Sequence, residues 1–420
     1  MPLALWLILS LLGTVSVLIW FAILLHPARP WDARPVGEDA PEPAAPAAWP
    51  AVAVLVPARN EAESLPKTLP ALLAQDYPGP FHVVLVDDRS TDGTADVARC
   101  LAEQHGAAGR LQVVAGAPLP EGWSGKVWAM EQGAAHCGLQ IADCGSSGGS
   151  MANPQSVIRN PQYLLLTDAD ILHAPDSLRR LVAESEAAAL ALNSRMARLR
   201  CESRAERLLI PPFVFFFNLL YPMRQANDPR HRLAAAAGGC VLLKSEALAR
   251  VGGFAAIKGE IIDDVNLARR IKAAGGALRL ALSRRAVASL RVYETLGSVW
   301  RMVRRSAFTE LKHSYLRLAA VLLGLVLTFA VPPVLLAAGV AVLALGLAGA
   351  AEVPLVGAGA IAFKGCLAWA LMTAAFRPMV SFYELRTAWA WTLPLSGMLY
   401  GAMTLDSALR HAFGTGGKWR

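Results

Sequence analysis

The chain predicts an α/β fold with a mostly parallel sheet, flanked by transmembrane helices at both ends. Three observations lead there. Residues 51–290 alternate short apolar runs with amphipathic stretches, the pattern of repeated βαβ units. Two of those runs, 83–86 and 163–166, end in carboxylates, Asp87-Asp88 and Asp168-Ala169-Asp170, and Ile261-Ile262 leads into a third acidic pair, Asp263-Asp264. The 420 residues are 55% hydrophobic and 17% charged, too apolar for an ordinary soluble enzyme, and the excess sits in residues 3–25 and 316–405.

Taken in order, residues 3–25 carry no charge and are long enough to span a bilayer. They lack a basic leading segment and a small-residue cleavage site, so residues 1–26 read as an uncleaved anchor rather than a signal peptide. Residues 27–50, rich in Pro and Ala, read as a linker. The domain, 51–315, carries expected strands at 51–56, 82–86, 111–114, 163–167 and 240–243. Helices are expected at 61–74, 92–105, 126–137, 176–190 and 264–274. The stretch 138–160, with Gly145-Ser146-Ser147-Gly148-Gly149-Ser150, reads as a flexible surface insertion. Residues 204–233 hold an apolar, aromatic, Pro-broken run too short to span, which fits either core or membrane interface. Residues 316–405 form the second membrane block. Its first part, 318–351, contains Pro332-Pro333 and reads as two short helices or as one helix with a second starting later. Further candidates are 354–375, interrupted by Lys364, and 387–405; four spans are expected. Residues 406–420 form a tail with Arg410, Lys418 and Arg420.

The net charge is +8 and the densest basic cluster, 291–317, directly precedes the second membrane block. Basic residues flanking spans favour the cytoplasmic side, which places the domain and the tail there and calls for an even number of spans between them. Basic residues interleaved with base-stacking aromatics are absent, which argues against nucleic acid as a partner. The six cysteines form no CxxC pair, so a zinc site is disfavoured, and their scatter fits a reduced compartment.

Six segments carry the chemistry. In 54–61 a strand runs through Pro57 toward a helix whose first turn holds Glu61, a placement the helix dipole alone would favour. In 86–94, helix capping accounts for Ser90, Thr91 or Asp92, but not for two further carboxylates, and Asp88 suits a nucleobase or ribose contact. Gly125-Lys126 opens a helix after a glycine turn, where anions bind; an ordinary loop lysine is the plainer alternative. Asp168 and Asp170, two apart, point to one side, and oxygen donors at a strand end suit Mg²⁺ or Mn²⁺ carrying a diphosphate. Asp263-Asp264 either caps a helix or supplies a general base for an acceptor hydroxyl, with Gly238-Gly239 nearby in sequence to let an acceptor approach the backbone. Arg301, Arg304 and Arg305 either offset a leaving diphosphate or attract anionic lipid.

In this order and spacing, the segments resemble the membrane-bound family 2 glycosyltransferases of GT-A fold, over roughly residues 50–310. The resemblance implies that Pro57, Glu61 and Asp88 lie at the nucleotide, Lys126 near the diphosphate, and Asp168 and Asp170 at diphosphate and metal, with Asp170 the ligand proper. It makes Asp264 the base with Asp263 beside it, and Arg301, Arg304 and Arg305 contacts of the departing nucleotide. It implies an inverting single displacement from a nucleotide-diphosphate sugar, usually UDP-linked, with Mg²⁺ or Mn²⁺. The family's usual Glu-Asp is Asp263-Asp264 here. The Trp of the Gln-x-x-Arg-Trp motif of processive synthases is Arg305, which favours a single transfer to a lipid over polymerisation. The runs 122–130, 166–171 and 302–308 are similar to the hopanoid-biosynthesis-associated glycosyltransferases, implying a bacterial inner membrane and a polycyclic triterpenoid acceptor. The rival readings are a processive polysaccharide synthase and a non-catalytic nucleotide-sugar or lipid-binding assembly partner.

Overall fold

A computed structural model describes residues 3–35, 38, 43–139, 158–349 and 354–414. Residues 140–157 of the expected insertion, residues 415–420 of the tail and parts of the linker lie outside the described residues. In chain order, α1 (Leu3–Leu25) leads to β1 (Val52–Ala58), α2 (Leu65–Leu73), β2 (Phe81–Asp87), α3 (Thr94–Gln104), β3 (Leu111–Ala115) and α4 (Gly125–His136). There follow β4 (Tyr163–Thr167), β5 (Ile171–His173), α5 (Ser177–Ala187), β6 (Leu192–Met196), β7 (Arg198–Leu199), α6 (Arg204–Leu220) and α7 (Met223–Asn227). The domain continues through β8 (Cys240–Lys244), α8 (Ser245–Arg250), α9 (Asp263–Ala273), β9 (Leu278–Leu282), β10 (Val287–Ser289) and α10 (Leu296–Glu310). The last helices are α11 (Tyr315–Leu325), α12 (Val331–Leu347), α13 (Leu355–Phe382) and α14 (Leu393–Ala412).

Among the described residues, seven strands form one sheet in the order β3-β2-β1-β4-β8-β6-β9. The pairs β1·β2, β1·β4, β2·β3 and β6·β9 are parallel, and β8 runs antiparallel to both β4 and β6. β1 is apolar at every position, and β4 is apolar up to Thr167, because both faces of the sheet are covered there. Val52, Val54 and Val56 point into one core with α2 and α5, while Ala53 and Leu55 point into the other with α4 and α9. A small second sheet has the order β5-β10-β7, with β10 antiparallel to β5 and parallel to β7. All five expected strands form. β5, β6, β7, β9 and β10 are additional.

The expected helices form as well, with one shift that matters. The first begins at Leu65, four residues past Glu61, so Glu61 lies in the preceding turn rather than on the helix. Residues 204–220 form a helix with a core face: α6 buries Ile210, Val214 and Phe215 against α13, with Phe215 5.2 Å from Phe376.

The membrane block differs from the four spans expected. Residues 315–347 form one helix, α11 passing through a π-helical turn at Val326–Ala330 into α12. With α13 and α1 this makes, among the described residues, three helices long and apolar enough to cross a membrane. Close packing through glycines holds them: a Cβ on Gly339 would meet Ala362, and one on Gly365 would meet the backbone of Leu336. These contacts run α12 antiparallel to α13, while Trp6 against Gly357 and Ser10 against Lys364 run α1 parallel to it. The ends of α1 and α13 and the start of α11 therefore meet at the domain side. Arg377 and Arg386 fall at that end, so they do not oppose the basic-side rule as they would with four spans. α14 returns to the domain, where Asp406 accepts from Trp300 Nε1 at 2.8 Å.

Candidate active site

The carboxyl ends of β1 and β2 are tied together before any ligand is considered. Asn60 and Arg89, at φ 55° and 58°, are both left-handed, a conformation that concentrates at functional loops. Asn60 N donates to Ser90 Oγ at 2.9 Å, Thr91 N to Asn60 Oδ1 at 2.9 Å and Ala62 N to Asp92 Oδ2 at 3.0 Å. Asp92 also accepts from Thr94 N, the first N–H of α3, while the N-cap position itself is Gly93. Pro57 sits in β1 one residue beyond Val56, where the pairing with β4 has already stopped at Leu55, so its missing N–H leaves that ladder intact. Asp88 is buried beside Arg59, 3.4 Å away, and its pKa is raised, chiefly by burial. Glu61, held by the Ser64 hydroxyl at 2.9 Å, is also raised by burial.

The turn after β4 is braced from beneath. Thr167 Oγ1 donates to Gly239 O at 2.9 Å, and Thr68 Oγ1 to Ala169 O at 2.7 Å. Asp168 and Asp170 emerge from it on one side. Asp168 Oδ1 lies 2.7 Å from Lys126 Nζ. Asp170 is 7% exposed, and burial followed by the Asp168 charge pushes its carboxyl up to about 6. Its Oδ2 is 3.5 Å from Arg291 Nη1, and its backbone O accepts from Leu290 N. Among the described residues no three His, Cys, Asp or Glu side chains converge as a closed metal cage. Two carboxylates do fit a hard cation that completes its shell with phosphate oxygens and water, and a desolvated Asp170 is a carboxylate that such a cation would relieve.

Asp264 is the most constrained acid of the site. Gly238 N donates to its Oδ2 at 2.7 Å and Val265 N to its Oδ1 at 2.8 Å. Burial, reinforced by Asp263, holds its pKa well above the usual carboxylate range. Lys126 Nζ is 3.8 Å from Asp263 and 3.5 Å from Gly238 O. Burial works against the Lys126 charge, but Asp168, Asp263 and Asp264 outweigh it and keep the ammonium protonated. Glycine at 238 suits this approach: a Cβ there would lie a tight 3.1 Å from Lys126 Nζ and 3.2 Å from Asp264 Oδ2. The glycine thus admits the lysine and the acid themselves.

Lys126, Asp168, Asp170, Asp263 and Asp264 form one cluster, then, with Glu61 close enough to Asp168 and Asp170 to feel their charge. Asp88 and Pro57 lie at the neighbouring strand ends. The three arginines separate. On α10, Trp300, Arg304 and Phe308 are four apart and share the face against α14. Arg304 is 3.4 Å from Asp406 there. Arg305, on another face, lies near enough to Tyr293 to lower its pKa against the raising effect of burial. Arg301 is exposed, its Nη1 reaching back toward Gly297. Arg291 and Tyr293 are site residues that sequence reading missed. The pairing of β5 with β10, Ile171 opposite Ser289, is what carries Arg291 to Asp170.

A family model described as glycosyltransferase like family 2 matches residues 50–314. A β-monoglucosyldiacylglycerol synthase of Synechocystis sp. is 35% identical over 103 residues, 24% of this chain and 20% of that protein. The glycosyltransferase AglE of Haloferax volcanii is 45% identical over 51 residues, 12% of this chain and 17% of that protein. The chain thus spans a fifth or less of the length of these curated relatives. Among solved structures, the mannosyltransferase PcManGT from Pyrobaculum calidifontis, in complex with GDP-Man and Mn²⁺, superposes with a TM-score of 0.51 at 19% identity, over 97% of this chain and 99% of that one. At that identity the likeness speaks to fold, and the fold is GT-A.

Proposed function

We propose, on the premise that the chain belongs to glycosyltransferase like family 2, that it is a membrane-anchored inverting enzyme moving one sugar from a nucleotide-diphosphate sugar to a lipid hydroxyl. The observation that carries this reading is Asp264, a part-buried acid pinned through both oxygens beside the Lys126–Asp168 pair. Deprotonated Asp264 takes the proton of the acceptor hydroxyl. The acceptor oxygen bonds to the anomeric carbon as the bond from that carbon to the diphosphate oxygen breaks, with inversion. Lys126 meets the charge that builds on the diphosphate. Asp170 and Asp168 would hold Mg²⁺ or Mn²⁺, which when bound supplies further neutralisation of the leaving group. Asp88 and Glu61 hold the nucleotide end, and Arg301 and Arg305 remain available to the departing diphosphate.

The finer reading is a UDP-linked donor and a hopanoid acceptor in a bacterial inner membrane, with the domain on the cytoplasmic side. The family resemblance of 122–130, 166–171 and 302–308 supports the acceptor class, and a curated relative named for a glucosyldiacylglycerol supports a lipid product. Arg29, Arg34, Arg377 and Arg386 at the domain-side ends of the apolar helices support the orientation. Purified protein in lipid, with Mn²⁺ or Mg²⁺, is to be offered a panel of UDP- and GDP-sugars with and without bacterial lipid extract. One donor consumed faster with lipid, giving a mono-glycosylated lipid, is the expected result. A polymeric product would move the assignment to a processive synthase. Nucleotide binding without turnover of any donor would move it to a binding protein.

A further inference from the structure

A second site lies away from the carboxylate cluster, where α1 ends. A pocket of about 250 Å³ opens there between the segment after α1 and the end of α6. Arg29, Arg34, Arg224, Asp32, Met223 and Asn218 are among the residues lining it. Three guanidiniums face one carboxylate. Asp32 is 2.6 Å from Arg34 and 3.6 Å from Arg224, and among the described residues Arg29 has no carboxylate within ion-pair distance. The wall is therefore cationic overall. Asn218 is 2% exposed, and its side-chain oxygen has no hydrogen-bond partner among the described residues. A buried amide oxygen left without a donor is costly, so this one is suited to an incoming hydroxyl.

The place selects the ligand. Helix α1 has 23 residues, and at a rise of about 1.5 Å each it matches the hydrocarbon thickness of a bilayer. The residues just past Leu25 then lie at headgroup depth. Trp31 folds back there, its indole N–H donating to Leu24 O at 3.0 Å, and tryptophan favours that layer. We propose that this pocket binds the headgroup of an anionic phosphoglycerolipid carrying a free hydroxyl. The phosphodiester lies against Arg29 and Arg224, and the hydroxyl donates to Asn218 Oδ1. The inference rests on the membrane placement of the proposed function and not on its chemistry, because none of these residues belongs to the catalytic cluster.

The test uses the full chain in phosphatidylcholine nanodiscs, with lipid retention read by native mass spectrometry and stability by thermal shift. Phosphatidylglycerol is compared with phosphatidylmethanol, which has the same charge and no headgroup hydroxyl. Wild type is expected to retain phosphatidylglycerol about tenfold better than phosphatidylcholine and better than phosphatidylmethanol. Arg29→Gln/Arg224→Gln, on exposed side chains that tolerate change, is expected to lose that retention. Asn218→Leu is expected to bind the two anionic lipids equally. Unchanged retention in the double arginine variant, or equal retention of phosphatidylcholine by wild type, would overturn the proposal. So would an equal thermal shift from inorganic phosphate in detergent, which would make this a site for free phosphate. None of these readouts depends on sugar transfer, so the failure of one reading is distinguishable from the failure of the other.

Discussion

Asp264 combines two properties that rarely coincide in a surface acid: both oxygens are fixed by backbone N–H groups, and burial beside Asp263 makes the proton hard to lose. As a base it must be deprotonated, and burial beside Asp263 raises its pKa, so transfer is expected to rise with pH and to fall on acidification at a higher pH than for an ordinary carboxylate. Asp264→Asn keeps the shape but accepts only one of the two N–H bonds, through its single carbonyl oxygen; it should lower transfer by roughly 10²–10⁴-fold while nucleotide binding, measured by calorimetry, largely survives. Full activity in that variant would remove Asp264 from the base role. Asp170 has a second consequence, with the opposite sign. Its folded-state pKa of about 6 lies above the ordinary carboxylate value, so the stability it contributes is present at low pH and is lost as the pH rises through about 6. Without metal, Asp170→Asn should therefore raise the melting temperature at pH 8 and leave it nearly unchanged at pH 4. The acids were legible in sequence because each ends an apolar run or opens a helix. Arg291 was not, since it reaches Asp170 only through a strand pairing with no local signature. The pairing of Arg304 with Asp406 was not legible either, since a run of arginines does not announce which of them the helix turns toward a neighbour.

At the scale of elements, two helices survive prolines that should break them, and both do so with help from other helices. In α6, Pro212 cannot donate to Leu208 O; Ser396 Oγ of α14 donates to it instead at 2.8 Å, and Tyr400 OH donates to Leu209 O at 2.8 Å. At the π-helical turn before α12, Pro332 cannot serve Thr328 O, and Trp20 Nε1 of α1 donates there at 3.1 Å. In an apolar surrounding a freed carbonyl has no water to turn to. Ser396→Ala and Trp20→Phe are each expected to destabilise the protein by about 1–3 kcal/mol, measured by thermal melting in one detergent, with Trp20→Phe keeping most of the ring contact with Phe329. Sequence reading saw these prolines as breaks because the rescuing donors lie far along the chain. The same reason hid β6. Leu192-Asn193-Ser194-Arg195-Met196 looks too polar for an inner strand, yet Asn193 donates to Leu181 O and Arg195 pairs with Glu184, so the strand is buried with its polar groups satisfied. The apolar strands β1, β2 and β4 needed no such partners and were plain from pattern alone.

At the scale of the whole molecule, the sequence's two apolar ends form one body. Lys364, which interrupted an apolar run when read alone, joins them: its ammonium donates to Ser10 Oγ at 2.6 Å, Thr14 Oγ1 at 2.9 Å and Ser10 O at 3.2 Å. Both helices are long and apolar enough to cross a membrane, and the meeting point lies well inside each. An ammonium at that depth is costly unless its hydrogens are all engaged. Here three oxygens serve three N–H bonds, so the lysine fixes the register of α1 against α13 across 350 residues of chain. The cost of breaking this contact should be asymmetric. Replacing Lys364 with Leu removes the charge together with its need for partners, leaving two hydroxyls that can bond to their own helix, as Thr14 already does with Ser10 O at 2.9 Å. Replacing Ser10 and Thr14 with Val keeps the charge and removes its acceptor side chains, the arrangement that buried ionic groups tolerate least. Ser10→Val/Thr14→Val should therefore lower the melting temperature more than Lys364→Leu, and adding Lys364→Leu to the double variant should recover part of the loss. Equal losses in the single and double variants, with no recovery in the triple, would mean that apolar packing through Gly13, Gly339 and Gly365 holds α1 in place and that the lysine is incidental to it.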